Sequence, residues 1–330
     1  MPADMENPTI SVVVPVYGVE RFVEACVRSL MEQTLRDGVE FIFVDDASPD
    51  GSMDTLRRAV ADYPDRAAQV RILTHSRNRG LPSARNTGMD AARGEYIVHI
   101  DSDDFAEPQM LEALLGEARR SGADMVWCDW YLSTEGGERR MATPDISDGH
   151  EAMLAMLGGS MKFNVWNKLT RRSVFADNAL RFPDGQPMGE DMTMIRACAR
   201  CRLTAHVAQP LYHYRRTNSG AMTQTYSDAN FNQLRHNADL TTDDLTRIGA
   251  ITAEETDLFR LQVKFPFLLM EPASRGFSLW RDWWPEANAR TAVNPYGTRH
   301  SRMAQRWAAR GWWWPLRLYR TLLKFYQKHA

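Results

Sequence analysis

Three aspartates stand close together in the first third of the chain, at Asp101, Asp103 and Asp104, with Ser102 between the first two. They directly follow the apolar residues 96–100, whose composition predicts a buried β-strand. Neighbouring carboxylates repel each other unless a cation or hydrogen-bond donors compensate their charge. Mg²⁺ and Mn²⁺ prefer oxygen ligands and fill their remaining positions with water and phosphate oxygens. The spacing therefore indicates a divalent-cation site, although an acidic turn before a helix has the same local pattern.

A second acidic pair, Glu190 and Asp191, follows Gly189 and opens a helix that we predict over residues 191–202. A helix N-terminus favours negative charge and lowers the pKa of a carboxyl group. We therefore expect Asp191 to be ionised and able to accept a proton. The alternative is that the pair only stabilises the start of the helix.

The elements that must position these carboxylates alternate between two periods. β-branched and apolar runs predict buried strands, and stripes at three- and four-residue spacing between them predict helices. The runs lie at residues 10–15, 40–44, 70–73, 96–100 and 125–128. Strands and helices that alternate with short connections predict an α/β fold with a parallel sheet and helices on both faces. The polar clusters follow the carboxyl ends of strands, where such sheets bind ligands. The polar residues 133–149 read as a loop or lid.

Four further motifs accompany the acidic cluster in order along the chain. They are Val14-Pro15-Val16-Tyr17, the VDDASPDGS run at 44–52, Asn78-x-Gly80 with ARNTG at 84–88, and GEYI at 94–97. Together they closely resemble the nucleotide-binding half of family 2 glycosyltransferases with the GT-A fold. The resemblance is strong over residues 9–130 and weaker to about 225. It implies a catalytic domain over residues 1–225, with the acceptor bound by 131–225, and a helical C-terminal extension over 226–330.

The resemblance also implies a donor site. Its residues would be Pro15, Val16, Tyr17, Asp46, Arg85, Asp101, Ser102 and Asp103. Tyr17 would stack on the base and Asp46 would accept from the imide N–H of uracil, which favours a UDP-sugar. Asp101 or Ser102 would hold the ribose and Asp103 the metal, Mn²⁺ or Mg²⁺. Arg85 would either contact the nucleotide or anchor Asp45.

The second half of the chain carries further features of the resemblance. Asp191 would be the general base that deprotonates the acceptor hydroxyl, and Trp166, Lys168 and Glu190 would contact the acceptor. The segment after the last predicted strand resembles a loop that folds over the diphosphate. There Arg215 and Arg216 would neutralise phosphate charge, and His213 would be either a further metal ligand or an ordinary strand histidine.

The tail at residues 302–328 interleaves basic and aromatic side chains, and the interval 299–328 holds eight Lys or Arg and no acid. This composition suits an interfacial helix on anionic lipid, where a lipid-linked acceptor would lie. The alternatives are a helix packed on the catalytic domain and an RNA-binding patch. The formal net charge of −2 argues against nucleic acid as a partner of the whole chain.

Composition limits the location we expect. Four cysteines are too few for a secreted disulfide scaffold, the first nine residues do not read as a signal peptide, and no apolar run is long enough to span a bilayer. We expect a cytoplasmic protein, either soluble or attached to the cytoplasmic face of the inner membrane.

These features predict a metal-dependent, inverting glycosyltransferase of polysaccharide or glycolipid synthesis, with a saccharide or lipid-linked acceptor. The alternatives are a nucleotidyltransferase and an inactive sugar-nucleotide-binding protein. A nucleotidyltransferase would need a glycine-rich basic loop after the first strand, which residues 18–21 match poorly. A dinucleotide-binding dehydrogenase would need GxGxxG at the same place, and that motif is absent.

Overall fold

The computed structural model describes residues 8–216 and 227–329, with side chains described as far as Thr321 in the last helix. The chain divides into two compact units. One comprises Met1–Ala152 and Phe163–Thr241, and the other Met153–Lys162 and Thr242–Ala330. The domain boundary predicted at residue 225 lies outside the described residues and stays a prediction.

The described residues form a single sheet with helices between its strands. The strands are β1 (Ile10–Val16), β2 (Val39–Asp45), β3 (Val70–Thr74), β4 (Tyr96–His99), β5 (Phe105–Ala106), β6 (Met125–Thr134), β7 (Gly137–Met141), β8 (Lys168–Arg171) and β9 (Thr204–Arg215). The helices that begin in the first unit, with α5 and α8 running into the second, are α1 (Val23–Met31), α2 (Ser52–Ala61), α3 (Leu81–Ala91), α4 (Met110–Ser121), α5 (Gly149–Leu157), α6 (Arg172–Ala176), α7 (Thr193–Cys198) and α8 (Asp228–Arg247). The remaining helices are α9 (Ala253–Lys264), α10 (Ala273–Asp282), α11 (Arg299–Ala309) and α12 (Trp313–His329).

The strand order of the sheet is β3-β2-β1-β4-β8-β6-β9-β5, with β7 paired to β6. β3, β2, β1 and β4 run parallel, as do β6 and β9, whereas β8 runs antiparallel to both of its neighbours. β1 and β2 are buried along their whole length, as expected for parallel strands covered on both faces. The predicted α/β class with a mainly parallel sheet flanked by helices is confirmed.

Helix α3 packs very closely on β1 because Gly88 has no side chain. A Cβ at Gly88 would lie 2.2 Å from Val13 Cγ1. The side chains of Arg85 and Asn86 on the same helix are consequently buried rather than exposed.

The segment 133–149 is only partly the loop that its polar composition predicts. Residues Gly137–Met141 form β7, an antiparallel partner of β6. The polar side chains of β7 are largely exposed, as edge-strand side chains often are, so composition alone could not separate this strand from a loop.

Helices make up most of the second unit. α9 begins with a capping box in which Thr252 and Glu255 satisfy each other's backbone N–H groups. Among the described residues, no helix combines the length and the apolar character needed to cross a bilayer.

Candidate active site

The predicted donor residues lie at one edge of the sheet because parallel strands end there together. In the register, Val16 of β1 pairs with Asp45 of β2, and Val13 pairs with His99 of β4. Tyr17 and Asp46 therefore follow two adjacent strands directly, and Asp101 follows two residues beyond the end of β4. The structure thus brings together the ends of three strands, as predicted from their polar clusters.

Two loops at this edge are fastened to each other. The backbone N–H of Glu20 donates to Asp50 Oδ2 (3.1 Å), and the N–H of Gly51 donates back to Glu20 Oε2 (3.1 Å). Tyr17, at the start of the first loop, is 49% exposed and can present its ring to a base. Pro15 and Val16 are buried within β1. Of the three residues predicted to line the base pocket, Tyr17 is the one that offers a side chain.

Asp46 is buried and organises the loop before α3. Its Oδ1 accepts from the backbone N–H of Arg79 (2.8 Å) and lies 2.7 Å from His75 Nδ1, while its Oδ2 accepts from the N–H of Gly80 (2.8 Å). A contact between Asp46 and a nucleotide base, as predicted, would have to replace or share one of these bonds. His75 thus helps to hold the Asp46 carboxylate in place.

The acidic cluster after β4 contains one carboxylate of a different kind. Asp104 is buried and accepts from the Tyr212 hydroxyl (2.8 Å) and from the backbone N–H of Arg215 (2.7 Å). Burial, together with the charges of Asp103 and Asp101, raises its pKa well above the usual range. Asp104 therefore fastens this turn to β9, and its contact with Tyr212 was not predicted. Asp101 and Asp103 are partly exposed, whereas Ser102 is buried.

The donor set suits a metal that binds together with a phosphate ligand. Both oxygens of Asp104 are already hydrogen-bonded. Within the described ranges, no group of three or more His, Cys, Asp or Glu side chains is placed to hold an ion. An oxygen-preferring cation at Asp103 would thus need most of its ligands from water and a diphosphate, which is how Mg²⁺ commonly binds.

His213, the predicted second metal ligand, has both ring nitrogens engaged. Nε2 lies 2.8 Å from Glu107 Oε1 and Nδ1 lies 2.8 Å from Glu138 Oε1. The ring also stacks on Phe105, with 4.1 Å between the centroids. His213 could ligate a metal only after losing one of these carboxylate contacts, so its role as a ligand stays a prediction.

Arg85 joins the donor edge to the second acidic pair. Its Nη2 donates to Asp101 Oδ1 (2.9 Å) and its Nε donates to Glu190 Oε1 (3.1 Å), while the side chain is only 2% exposed. The proposed anchor to Asp45 is wrong, because the Asp45 carboxylate instead accepts from the N–H of Ser48. Two buried atoms of this bridge, Arg85 Nη1 and Glu190 Oε2, find no hydrogen-bond partner among the residues that the structure describes.

The acidic pair itself is less ionised than expected. Burial, and then the neighbouring charge of Glu190, raises the pKa of Asp191 well above the usual range. The prediction that a helix N-terminus would lower this pKa is therefore wrong. Glu190 and Asp191 lie in a 3₁₀ turn, and the α-helix that follows, Thr193–Cys198, is too short to outweigh desolvation. A raised pKa brings a carboxylate closer to the strength of a base that works near neutral pH.

Trp166 and Lys168 belong to the interior. Trp166 stacks on Tyr212, with 4.4 Å between the centroids, and is buried. Lys168 Nζ donates to the carbonyl of Asn164 (2.8 Å) and to Asn167 Oδ1 (2.9 Å), and burial lowers its pKa to about 7. Neither side chain is exposed to an acceptor, so their predicted acceptor contacts remain untested.

Helix α3 also holds a loop of the second half. Asn86 Nδ2 donates to the carbonyl of Phe182 (2.8 Å) and Asn86 Oδ1 accepts from the N–H of Phe182 (3.0 Å). Ser83 Oγ donates to Asp184 Oδ1 (2.8 Å). The ARNTG motif contains Asn86 but not Ser83, and it did not indicate this partner loop.

The predicted diphosphate residues are the last ones described before the gap at residues 217–226. Arg215 is half-buried, and its guanidinium lies 4.5 Å above the centre of the Phe105 ring, whereas Arg216 is exposed. The loop predicted to cover the diphosphate, beginning at residue 217, lies outside the described residues.

Comparison with solved structures shows the same fold. The chain is similar to Staphylococcus aureus TarS 1–349 in complex with UDP-GlcNAc, with a TM-score of 0.70 and 16% identity over 98% of this chain and 92% of that one. It is also similar to the mannosyltransferase PcManGT of Pyrobaculum calidifontis in complex with GDP-Man and Mn²⁺, with a TM-score of 0.53 and 15% identity over 96% and 84% of the two chains. The GT-A fold is thereby confirmed.

Sequence comparison identifies the family. The glycosyltransferase EpsH of Bacillus subtilis is 34% identical over 64% of this chain and 62% of its own length, and EpsJ of the same organism is 33% identical over 66% and 63%. The chain thus spans less than two thirds of the length of these relatives. The family described as Glycosyl transferase family 2 matches residues 11–182. Because this match covers more than half of the chain and contains the donor edge, the chain belongs to glycosyl transferase family 2.

Proposed function

We propose that this chain transfers a sugar from a nucleotide-diphosphate donor, a UDP-sugar, to an acceptor hydroxyl. The observation that carries the proposal is the Arg85 bridge. It ties Asp101, at the donor edge, to Glu190, next to the carboxylate that would accept a proton. A transferase needs these two functions side by side, since the acceptor oxygen must reach the donor sugar as it loses its proton.

Asp191 would act as the general base. One carboxylate base suffices for a single displacement, so we propose inversion at the anomeric carbon. The raised pKa of Asp191 suits this role, because a base is most effective when its pKa lies near the working pH.

Tyr17 would stack on the base, Asp101 would hold the ribose, and Asp103 would contact a bound Mn²⁺ or Mg²⁺. Such an ion supplies charge stabilisation for the leaving diphosphate. Arg215 and Arg216 would add positive charge near the phosphates. Two solved neighbours support a metal and a UDP-sugar, since PcManGT binds GDP-Man and Mn²⁺ and TarS 1–349 binds UDP-GlcNAc in their structures.

The acceptor we propose is a saccharide or a lipid-linked saccharide in polysaccharide or glycolipid synthesis, bound by residues 131–225. A relative that supports polymer synthesis is the poly(ribitol-phosphate) beta-glucosyltransferase of Bacillus spizizenii, which is 29% identical over 55% of this chain. We further propose that residues 226–330 form an extension whose basic, aromatic tail holds the enzyme on the cytoplasmic face of a membrane.

The test is to offer a panel of nucleotide sugars with Mn²⁺ and to measure nucleotide release with and without saccharide acceptors. Asp191→Asn keeps the shape of the side chain but removes the proton acceptor, so turnover should fall by about 10²–10⁴-fold with donor affinity unchanged. In the parent enzyme, activity should decline with falling pH at a value above the usual aspartate pKa, because Asp191 must be ionised to act.

Asp177→Asn is the matched control, since Asp177 is an exposed carboxylate at the end of α6. It should leave turnover and the pH profile unchanged. If Asp191→Asn strongly weakened donor binding but left turnover at saturating donor unchanged, Asp191 would belong to the donor site. Donor binding without any turnover across the panel would instead support an inactive sugar-nucleotide-binding protein.

A further inference from the structure

Helix α11 presents a row of four arginines on one face: Arg299, Arg302, Arg306 and Arg310. Their spacing of three, four and four residues places them on the same side of an α-helix, over about 16 Å of its length. None of the four forms an ion pair with a carboxylate among the described residues, whereas Arg36, Arg120 and Arg181, exposed in the first unit, each pair with one. The row is therefore a local positive surface on a chain whose net charge is −2.

The side chains of the row border an open recess on the surface of the helix. A groove of about 550 Å³ is lined by the four arginines together with Met303 and Trp307. Two of the guanidinium groups are held in place by backbone carbonyls. Arg302 donates to Pro295 O (3.0 Å), and Arg306 donates to Thr291 O (3.2 Å) and Ala292 O (2.7 Å). A guanidinium has five N–H donors, so each keeps donors for a ligand while losing little freedom on binding it.

Apolar and aromatic side chains continue the surface beyond the last arginine. The Arg310 guanidinium lies 5.4 Å above the centre of the Trp312 ring. Trp312, Trp314 and Leu318 are exposed, Trp314 to 73%. Tryptophans beside arginines are typical of protein surfaces that lie at the boundary between lipid headgroups and acyl chains.

We propose that the α11 groove binds the phosphate groups of anionic membrane lipids, with Trp312 and Trp314 entering the interface beside it. Arginine matches phosphate oxygens with two parallel hydrogen bonds. A nucleic-acid ligand fits less well: the tryptophans could stack on bases, but the exposed Leu318 has no role on a hydrated polyanion and the chain carries a net charge of −2. Only the biological purpose of the groove rests on the proposed function: it would hold a transferase near a membrane-linked acceptor.

The experiment is co-sedimentation of the full chain with vesicles of phosphatidylglycerol mixed equally with phosphatidylcholine, and with vesicles of phosphatidylcholine alone. Arg299→Gln/Arg310→Gln removes the two arginines that form no hydrogen bond through their guanidinium groups within the described residues. Each basic residue contributes about fivefold to partitioning onto anionic lipid, so this double variant should bind roughly 25-fold more weakly. Arg299→Lys/Arg310→Lys should retain most of the binding, because the charge is kept. Added salt should weaken binding of the parent protein by screening.

The matched control is Arg57→Gln/Arg120→Gln. Both residues are exposed in the first unit, where Arg57 pairs with Asp54 and Arg120 with Glu117. Replacing two arginines changes the net charge by the same amount as in Arg299→Gln/Arg310→Gln. This control should bind anionic vesicles as the parent chain does. Equal loss in the two double variants would show that net charge, not the groove, drives binding and would overturn the proposal.

Three further outcomes would also overturn it: equal binding to the neutral vesicles, no binding to either kind, or binding of inorganic pyrophosphate at the groove without any vesicle binding. Nucleotide release measured without vesicles separates the two proposals. The double variant Arg299→Gln/Arg310→Gln should release nucleotide as fast as the parent chain. If the parent chain released no nucleotide, the transferase function would be contradicted, while vesicle binding would still support the groove.

Discussion

The buried bridge from Arg85 to Asp101 and Glu190 offers the sharpest test of how this site is held together. Arg85→Met replaces the guanidinium with an apolar side chain of similar length. The Glu190 side chain, almost fully buried, would then lose its ionic partner, and Asp101 would lose one hydrogen bond. Removing one member of a buried ion pair costs about 3–5 kcal/mol, because the remaining charge stays desolvated. We expect the melting temperature of the first unit to fall on the order of 10 °C.

The penalty should depend on pH in a defined direction. Burial raises the pKa of Glu190 in the folded chain, so the folded state binds that proton more tightly than the unfolded state. The contribution of protonated Glu190 to the free energy of unfolding is fully present below the usual glutamate pKa of about 4.3. It is lost as the pH rises through the raised pKa of the folded chain. Without Arg85 the pKa rises further. The difference between variant and parent should therefore shrink as the pH approaches the usual glutamate value.

A double-mutant cycle measures the pair itself. Glu190→Gln removes the buried charge, so Arg85→Met/Glu190→Gln should be more stable than the sum of the single changes predicts, by about 1–3 kcal/mol. Urea unfolding at neutral pH gives the four free energies. If the two changes add to within about 0.5 kcal/mol, or if Arg85→Met alone is as stable as the parent chain, the bridge does not stabilise the site as we infer.

Two further predictions concern the donor. Asp103→Ala should abolish the Mn²⁺-dependent part of UDP binding in titration calorimetry, because the described part of the chain offers few other ligands for an ion; full transferase activity in EDTA would contradict a metal at this position. Tyr17→Ala should weaken UDP binding by about 10–100-fold, since stacking of a base on an aromatic ring is worth about 1–3 kcal/mol, whereas Tyr17→Phe should bind UDP normally. An alanine variant with unchanged affinity would place the base elsewhere.

The sheet and the donor edge were predictable because they depend on local pattern. β-branched runs mark the strands, and the register of parallel strands then places Tyr17, Asp46 and Asp101 at one edge. No contact between distant residues is needed for that step. The same holds for the family resemblance, which depends on motifs that are each continuous in the chain.

The partners of the buried polar groups were not predictable in the same way. Arg85 binds Glu190 across 105 residues, and Asp46 is satisfied by backbone N–H groups more than 30 residues away. Trp166 resembles an acceptor residue in sequence, yet its ring stacks on Tyr212 in the interior. The pKa of Asp191 depends on how deeply the chain buries the pair, which outweighs the helix terminus that the sequence displays.

The hydrogen bonds that join α3 to the loop at Phe182–Asp184 have a consequence for the engineering of such enzymes. Ser83 and Asn86 hold that loop through two bonds to the backbone of Phe182 and two to the Asp184 carboxylate, so half of the bonds do not depend on which side chains the loop carries. A chimera that exchanged residues 131–180 for those of a relative would keep both attachment points, at Phe182 and at Glu190. If residues 131–225 bind the acceptor as we propose, acceptor preference should move with the exchanged residues, while α3 keeps them aligned with the nucleotide side.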